Sequence, residues 1–245
     1  MSGRRRRARA YTVAMTRPAP WPPRATDTPL AVLVSGGLDS AILLAEASRA
    51  YPAVYPLYIE TGLQWEPTEK AYLRRFLDAV RTPALKPLVT LSLPVTDLYG
   101  DHWSVTAEGV PAAHTADELC YLPGRNVILL AKALLWCHLN GVPEVATAPL
   151  GSNPFPDATD EFYDGFAGIV SAAVAGSVRV LRPYAALGLY KADVLRRGVG
   201  LPLEHTFSCI RPVRGLHCRT CSKCSERFVG FAAAGMIDPT RYATE

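Results

Sequence analysis

Ala31-Val-Leu-Val-Ser-Gly-Gly-Leu-Asp-Ser40 is an apolar run that stops at Ser35, turns on two glycines and opens a helix. The apolar run suits a strand buried on both faces. Gly36 and Gly37 permit a tight turn with close backbone approach. A helix starting near Asp39 points its free N–H groups and positive dipole end at that turn, which makes an anion cradle. Ser35 and Ser40 add hydroxyl donors, and Asp39 either caps the helix or holds Mg²⁺ against phosphates. The string is neither the Walker pattern GxxxxGK[ST] nor the dinucleotide fingerprint GxGxxG. A plain glycine turn with a serine cap would not require the whole SGGLDS string directly after a buried strand.

The pattern continues on the C-terminal side. Leu38–Ala50 reads as a helix, Val54–Ile59 as a strand, Pro67–Val80 as an amphipathic helix and Lys86–Leu91 as a third strand. An irregular stretch from Pro94 to Pro123 is too long for an ordinary connection and is a candidate active-site loop. Val127–Leu139 is the clearest buried helix, followed by a strand at Glu144–Ala148, a helix at Ala158–Ala175, an extended segment at Val178–Pro183 and a helix at Leu189–Arg197. A final helix covers about Ser225–Ala234. Strands alternating with helices predict an α/β domain, a parallel sheet with helices on both faces. The expected division is a disordered basic leader over 1–29, a phosphate-binding α/β domain over 30–200 and a cysteine-bearing C-terminal region over 201–245.

Charge separates the leader from the body. The chain holds 26 basic and 22 acidic residues, of which seven arginines and Asp27 fall in 1–29, so the body carries 19 and 21. A nearly neutral body gives no footprint for a nucleic-acid backbone. The basic, proline-rich leader reads as a solvated tail, an over-extended start with Met15 as the alternative, or an arm for a polyanion. No apolar run approaches the ~20 residues that cross a bilayer, and the leader has no apolar signal core, so a cytoplasmic protein is expected.

Four of the six cysteines lie within Cys209–Cys224, as Cys209-x8-Cys218-x2-Cys221-x2-Cys224. That clustering favours a metal over disulfides. Four thiolates suit tetrahedral Zn²⁺ with no open position, the mark of a structural site, and an iron–sulfur cluster is the rival occupant. His217 competes as a ligand but is adjacent to Cys218. Cys137 on an apolar helix reads as buried, and Cys120 has no evident activating partner.

The SGGLDS loop resembles the pyrophosphate loop of the N-type ATP pyrophosphatases, which cut ATP between its α and β phosphates. Further segments narrow the likeness: Tyr121-Leu-Pro-Gly-Arg-Asn126, Phe155-Pro-Asp-Ala-Thr-Asp-Glu-Phe162, Leu187-Gly-Leu-Tyr-Lys-Ala-Asp193, Thr206-Phe-Ser-Cys209 and Asp238-Pro-Thr-Arg-Tyr-Ala243. In that order, from about Leu30 to Ala243, they resemble the 7-cyano-7-deazaguanine synthase family, QueC. The resemblance implies the Rossmann-like fold of the adenine nucleotide alpha hydrolases with a small C-terminal zinc appendage. It implies ATP, Mg²⁺ and Zn²⁺ as cofactors, a deazapurine acid and ammonia as substrates, and a homodimer. It further implies that Ser35, Gly36, Gly37, Leu38, Asp39, Ser40 and Asn126 hold the nucleotide, and that Asp39, Lys191 and Arg125 act on the phosphates. Tyr121, Arg125, Asp157 and Glu161 would meet the acid, and Cys209, Cys218, Cys221 and Cys224 the metal.

The family motif Pro-Asp-Cys-Arg reads Pro156-Asp157-Ala158-Thr159 here, and Ile59-Glu-Thr-Gly-Leu-Gln-Trp65 replaces an aromatic-Asn and Arg-His element. Trp65 either stacks on a base or packs in the core. The altered motif raises a second reading, a ligase that couples the activated acid to a protein amine. A tRNA-modifying thiolase would need a reactive cysteine and a basic surface. A non-catalytic ATP-sensing module would not need the intact loop.

Overall fold

In the computed structural model, which describes residues 21–22 and 26–244, five strands form one wholly parallel sheet. They are β1 (Leu30–Leu33), β2 (Val54–Glu60), β3 (Val89–Ser92), β4 (Glu144–Ala146) and β5 (Arg179–Leu181), in the order β3-β2-β1-β4-β5. The helices are α1 (Leu38–Ala47), α2 (Glu66–Ala79), α3 (Thr96–Tyr99), α4 (Trp103–Thr106), α5 (Arg125–Leu139), α6 (Asp160–Ala173), α7 (Pro183–Ala186), α8 (Lys191–Arg197) and α9 (Ser222–Ala234).

Successive side chains of β1 point to opposite faces, and each face has its own core. Leu30 and Val32 pack with Ile42 of α1, Val194 of α8 and Phe231 of α9. Ala31 packs with Leu130 of α5 and Tyr163 of α6. Helices therefore cover both faces, as the run of apolar residues in β1 requires. Leu203 and Phe231 belong to the same core as β1, so the cysteine-bearing segment is packed into the body of the molecule.

From β1 the sheet runs to β2 and β3 on one side and to β4 and β5 on the other. The chain thus reverses its direction of travel between β1 and β4. Beyond the carboxyl ends of strands at such a switch point lies a crevice, the ordinary place for a ligand in an open parallel sheet.

Several boundaries differ from those expected. Lys86 N still donates to Val54 O at 2.9 Å, but Pro87 has no N–H to continue the ladder, and β3 begins at Val89. Thr159 caps α6 by accepting from Phe162 N at 3.2 Å, which separates that helix from a 3₁₀ turn at Pro156–Ala158. The stretch 94–123 is ordered by distant partners. Ala113 N donates to Thr220 O, and Ser222 N to Pro111 O, both at 2.9 Å.

Most of the expected basic leader lies outside the described residues. Of its far end, Trp21 stands 5.9 Å from the Tyr51 ring, and Arg197 Nη2 donates to Trp21 O at 2.7 Å. No helix among the described residues is long and apolar enough to cross a membrane.

Candidate active site and metal centre

The loop between β1 and α1 holds its own shape. Ser40 Oγ accepts from Ser35 N at 3.2 Å, and Ser35 Oγ accepts from Gly37 N at 3.4 Å. Gly36 sits at φ +73°, and a side chain there would press on Glu69 Cγ and O at 3.2 Å. Gly37 is the N-cap of α1 and no side chain caps that helix, so its first N–H groups face the crevice. Asp39 is therefore not the cap. Its Oδ2 accepts from Lys191 Nζ at 2.6 Å, while its Oδ1 is buried and has no hydrogen-bond partner among the described residues. An orphaned carboxylate oxygen beside an anion cradle is what a divalent cation would satisfy.

Three cavities of about 210, 330 and 230 Å³ meet at this loop. The first lies over the ends of β1, β2 and β4, walled by Ile59, Leu129 and Thr147. The second runs between Tyr121, Phe155 and Asp157, and the third between the loop, Lys191 and Ser208. Asp39 and Arg125 line all three. Arg125 opens α5 after Gly124, which takes φ +70°, and forms no ion pair among the described residues. Its guanidinium fork is free for an anion at the junction.

Lys191 opens α8 and is held from two sides, by Asp39 and by Glu226 Oε1 at 2.9 Å. Burial lowers its pKa, but the two carboxylates outweigh that and raise it above the usual lysine range. Glu226 Oε2 in turn accepts from Lys223 Nζ at 2.7 Å. Burial pushes the Glu226 carboxyl up, yet Lys191 and Lys223 together hold it down at about 2. Gly230 makes room for this chain, because a side chain there would strike Lys191 Cγ at 2.6 Å.

The residues expected at the acid pocket divide. Tyr121 lines the second cavity and stacks on Phe155, with ring centroids 5.1 Å apart. Asp157 lines it too, but its Oδ2 accepts from Asn126 N at 3.0 Å, and its carbonyl accepts from Asn126 Nδ2 at 2.8 Å. Asp157 thus anchors the start of α5 and with it Arg125. Glu161 is exposed on α6 and lines none of the three cavities, so it is not brought to the site. Ala158 packs on the α5–α6 core and Thr159 caps α6, so the two altered motif positions serve the fold. Trp65 is buried and stacked on Trp103 at 5.8 Å, in the core around the cysteines.

Glu66 and Glu69 are a feature that the sequence patterning passed over. Both are buried on one face of α2. Glu66 accepts from Thr61 N at 2.9 Å and from Gly62 N at 2.9 Å, fixing the turn after β2. Glu69 accepts from Tyr58 Oη at 2.8 Å, and it lies under Gly36. Burial pushes the Glu69 carboxyl up to about 8, although Arg125 and Tyr58 pull it back. Acids three apart where a core stripe belongs were the available signal, as were Lys223 and Glu226 between and just beyond the last cysteines.

The four clustered cysteines converge. All their sulfurs lie within 4.8 Å of one another, with Cys218–Cys224 and Cys209–Cys221 each 3.9 Å apart. A tetrahedron with metal–sulfur bonds of about 2.3 Å has edges of about 3.8 Å, so one ion fits and a multi-metal cluster does not. Backbone N–H groups point at the sulfurs: Arg211 and Cys218 at Cys209, and Cys221 at Cys218, each at 3.3 Å. Such donors favour thiolates over thiols. His217 is not a fifth ligand, since its Nε2 accepts from Ser208 N at 3.2 Å within a nest formed by Phe207, Tyr72 and Tyr242. Phe207 N donates to Gly36 O at 2.7 Å, so the segment entering the metal site holds the phosphate loop. Cys137 is inert, its thiol pushed up to about 12 by burial. Cys120 Sγ donates to Ser222 Oγ at 3.3 Å and to Ala116 O at 3.8 Å, and neither pairing supplies a base.

Comparison with known proteins places this architecture. A family model described as queuosine biosynthesis protein QueC matches residues 30–235. The 7-cyano-7-deazaguanine synthase of Thiobacillus denitrificans is 34% identical over 221 residues, covering 86% of this chain and 97% of the relative. That of Anaeromyxobacter dehalogenans is 32% identical over 224 residues, covering 86% and 94%. Among solved structures, a 4-thiouridine synthetase in complex with RNA and ATP overlays with a TM-score of 0.43 at 15% identity, covering 85% of this chain and 50% of the other. With its family match spanning both the phosphate loop and the cysteine centre, this chain belongs to the QueC family of queuosine biosynthesis proteins.

Proposed function

We propose that this chain is an ATP-dependent ligase that converts 7-carboxy-7-deazaguanine and ammonia to 7-cyano-7-deazaguanine through an acyl-adenylate. The single observation that carries this reading is the meeting of three cavities at Asp39 and Arg125, next to an uncapped helix N-terminus. Adenylation needs that arrangement, because nucleotide, acid and departing pyrophosphate must share one phosphorus atom. The match to relatives that bear the synthase name over nearly their whole length supports the choice of acid.

The chemistry follows from the weakness of a carboxylate as an electrophile. A carboxylate oxygen attacks the α-phosphorus of ATP, and the bond to the β-phosphate oxygen breaks to release pyrophosphate. Ammonia then attacks the acyl carbon and AMP leaves, giving the amide after loss of a proton. The amide oxygen attacks the α-phosphorus of a second ATP, releasing a second pyrophosphate and one N–H proton, and loss of AMP with the remaining N–H proton leaves the nitrile.

Each part of the site has a task. The first cavity takes the nucleoside against Ile59 and Leu129, and the uncapped N–H groups at the start of α1, from Leu38 to Ser40, take the phosphates. The second cavity offers the Tyr121–Phe155 face to a planar bicyclic acid. Lys191 and Arg125 neutralise charge that grows on the leaving pyrophosphate and on the α-phosphoryl group. Asp39, with one oxygen unengaged, would hold Mg²⁺, which supplies charge neutralisation of the phosphates. Cys209, Cys218, Cys221 and Cys224 would hold Zn²⁺ in a purely structural role, and clustered cysteines without disulfides suit a reducing cytoplasm.

The test is to incubate the purified protein with Mg-ATP, ammonium and the acid, following pyrophosphate and product mass together. Acid-dependent pyrophosphate with nitrile or amide as product is expected. Absence of acid-dependent pyrophosphate would overturn this reading.

A further inference from the structure

Resting on that reading, we propose that Lys223 is the specificity-determining cation of the acid pocket: it binds the carboxylate of the incoming acid, a position that Glu226 occupies in the free protein.

The position of Lys223 separates it from the other cations. It opens the first turn of α9 between two metal ligands, and it lines both the acid cavity and the pyrophosphate cavity. The acid cavity has only two cationic lining residues, Lys223 and Arg125. Arg125 also faces the nucleotide cavity, where the phosphates of ATP claim it. Lys191 is absent from the acid-cavity wall and is already paired with Asp39. Thr159 caps α6 with its hydroxyl and lines none of the cavities, so the altered motif adds no cation there.

The remaining charges of that cavity are committed. Asp157 takes the Asn126 N–H at the start of α5, and Asp39 takes Lys191. Glu226 divides its two oxygens between Lys191 and Lys223. An acid arriving from the Tyr121–Phe155 side therefore meets one ammonium whose present partner is itself a carboxylate. Exchange of one carboxylate for another keeps the ion pair and leaves Glu226 on Lys191. A carboxylate on Lys223 stands at the wall between the acid and pyrophosphate cavities. One of its oxygens can then face the α-phosphorus while the other holds the lysine.

A charge-assisted hydrogen bond of this kind is worth about a 10- to 100-fold change in binding. Initial rates of pyrophosphate release are to be measured for wild type, Lys223→Met and Lys223→Arg with 7-carboxy-7-deazaguanine and, separately, with its neutral primary amide. Metal content and Tm are followed alongside. Lys223→Met should raise KM for the acid about 10- to 100-fold while KM for ATP and for the amide stay within about twofold, and Lys223→Arg should restore most of the loss. A merely structural lysine would not separate acid from amide. Should Lys223→Met lose its metal, Lys223→Gln carries the same expectation, since it keeps a hydrogen bond to Glu226 without the charge. Wild-type turnover with an unmoved acid KM in the variants overturns the assignment of Lys223 alone, as does an equal rise for acid, amide and ATP. Absence of wild-type turnover with the acid overturns the function and this assignment with it.

Discussion

Glu69 shows how burial of one side chain reaches both stability and nucleotide binding. It lies beneath Gly36 with Tyr58, Glu66 and Arg125 about it, and burial raises its carboxyl from 4.5 to about 8. Burial favours its neutral form, which keeps negative charge from beneath the phosphate loop. An unfolded chain would ionise this group near 4.5, whereas the folded one keeps the proton to about 8. Its stability contribution is therefore complete below about pH 4.5 and declines as pH climbs toward 8. In the site the same ionisation places a carboxylate against ATP. KM for ATP should rise about three- to tenfold between about pH 7 and 9 in wild type, and stay level in Glu69→Gln. Parallel pH profiles in the two proteins would refute a role for this carboxyl. Asp39 was legible in the phosphate string itself, and Arg125 and Lys191 were expected from the family resemblance. Glu69 escaped both because an acid on an amphipathic helix is ordinarily solvated, and only the tertiary fold turns it under the loop.

Among the elements, the cysteine segment acts as a strap across the phosphate loop. Phe207 N holds Gly36 O, and Arg227, which is buried, donates from Nη1 to Thr206 Oγ1 at 2.8 Å and from Nη2 to Leu203 O at 3.0 Å. α9 carries Glu226 to Lys191, and the loop 94–123 is pinned to the same segment through Thr220 and Ser222. Loss of the metal should therefore loosen the loop as well as the appendage. Cys221→Ser should lower bound metal, lower Tm by roughly 10 °C and raise KM for ATP in step. Metal loss with an unchanged Tm would show that the centre does not support the fold. The strands and long helices were legible because their periodicity is written within a dozen residues. The order within 94–123 was not, since its hydrogen-bond partners lie about a hundred residues further on. The start of α9 at Ser222 was missed for a related reason: Cys221, one of the four converging cysteines, also stands at its N-cap.

At the scale of the molecule, the reversal of strand order between β1 and β4 opens one crevice, and three cavities meet there at Asp39 and Arg125, two of them walled in part by the C-terminal segment. The division bears on how two activations can proceed in one site. After the first, the amide oxygen occupies the place that the carboxylate oxygen held, in the acid cavity and facing the same junction. AMP and pyrophosphate can leave by the nucleotide cavity and the third cavity while the bicyclic product stays against Tyr121 and Phe155. Nothing in this geometry requires that the amide be made on the enzyme. The primary amide supplied from solution with Mg-ATP, and without ammonia, should therefore be dehydrated to the nitrile with one pyrophosphate released per nitrile. The acid with ammonia should release two. Counting pyrophosphate against nitrile by mass spectrometry for each starting material decides the matter. Turnover of acid with no turnover of amide would mean that the intermediate must form in place, and that these cavities do not exchange it with solvent.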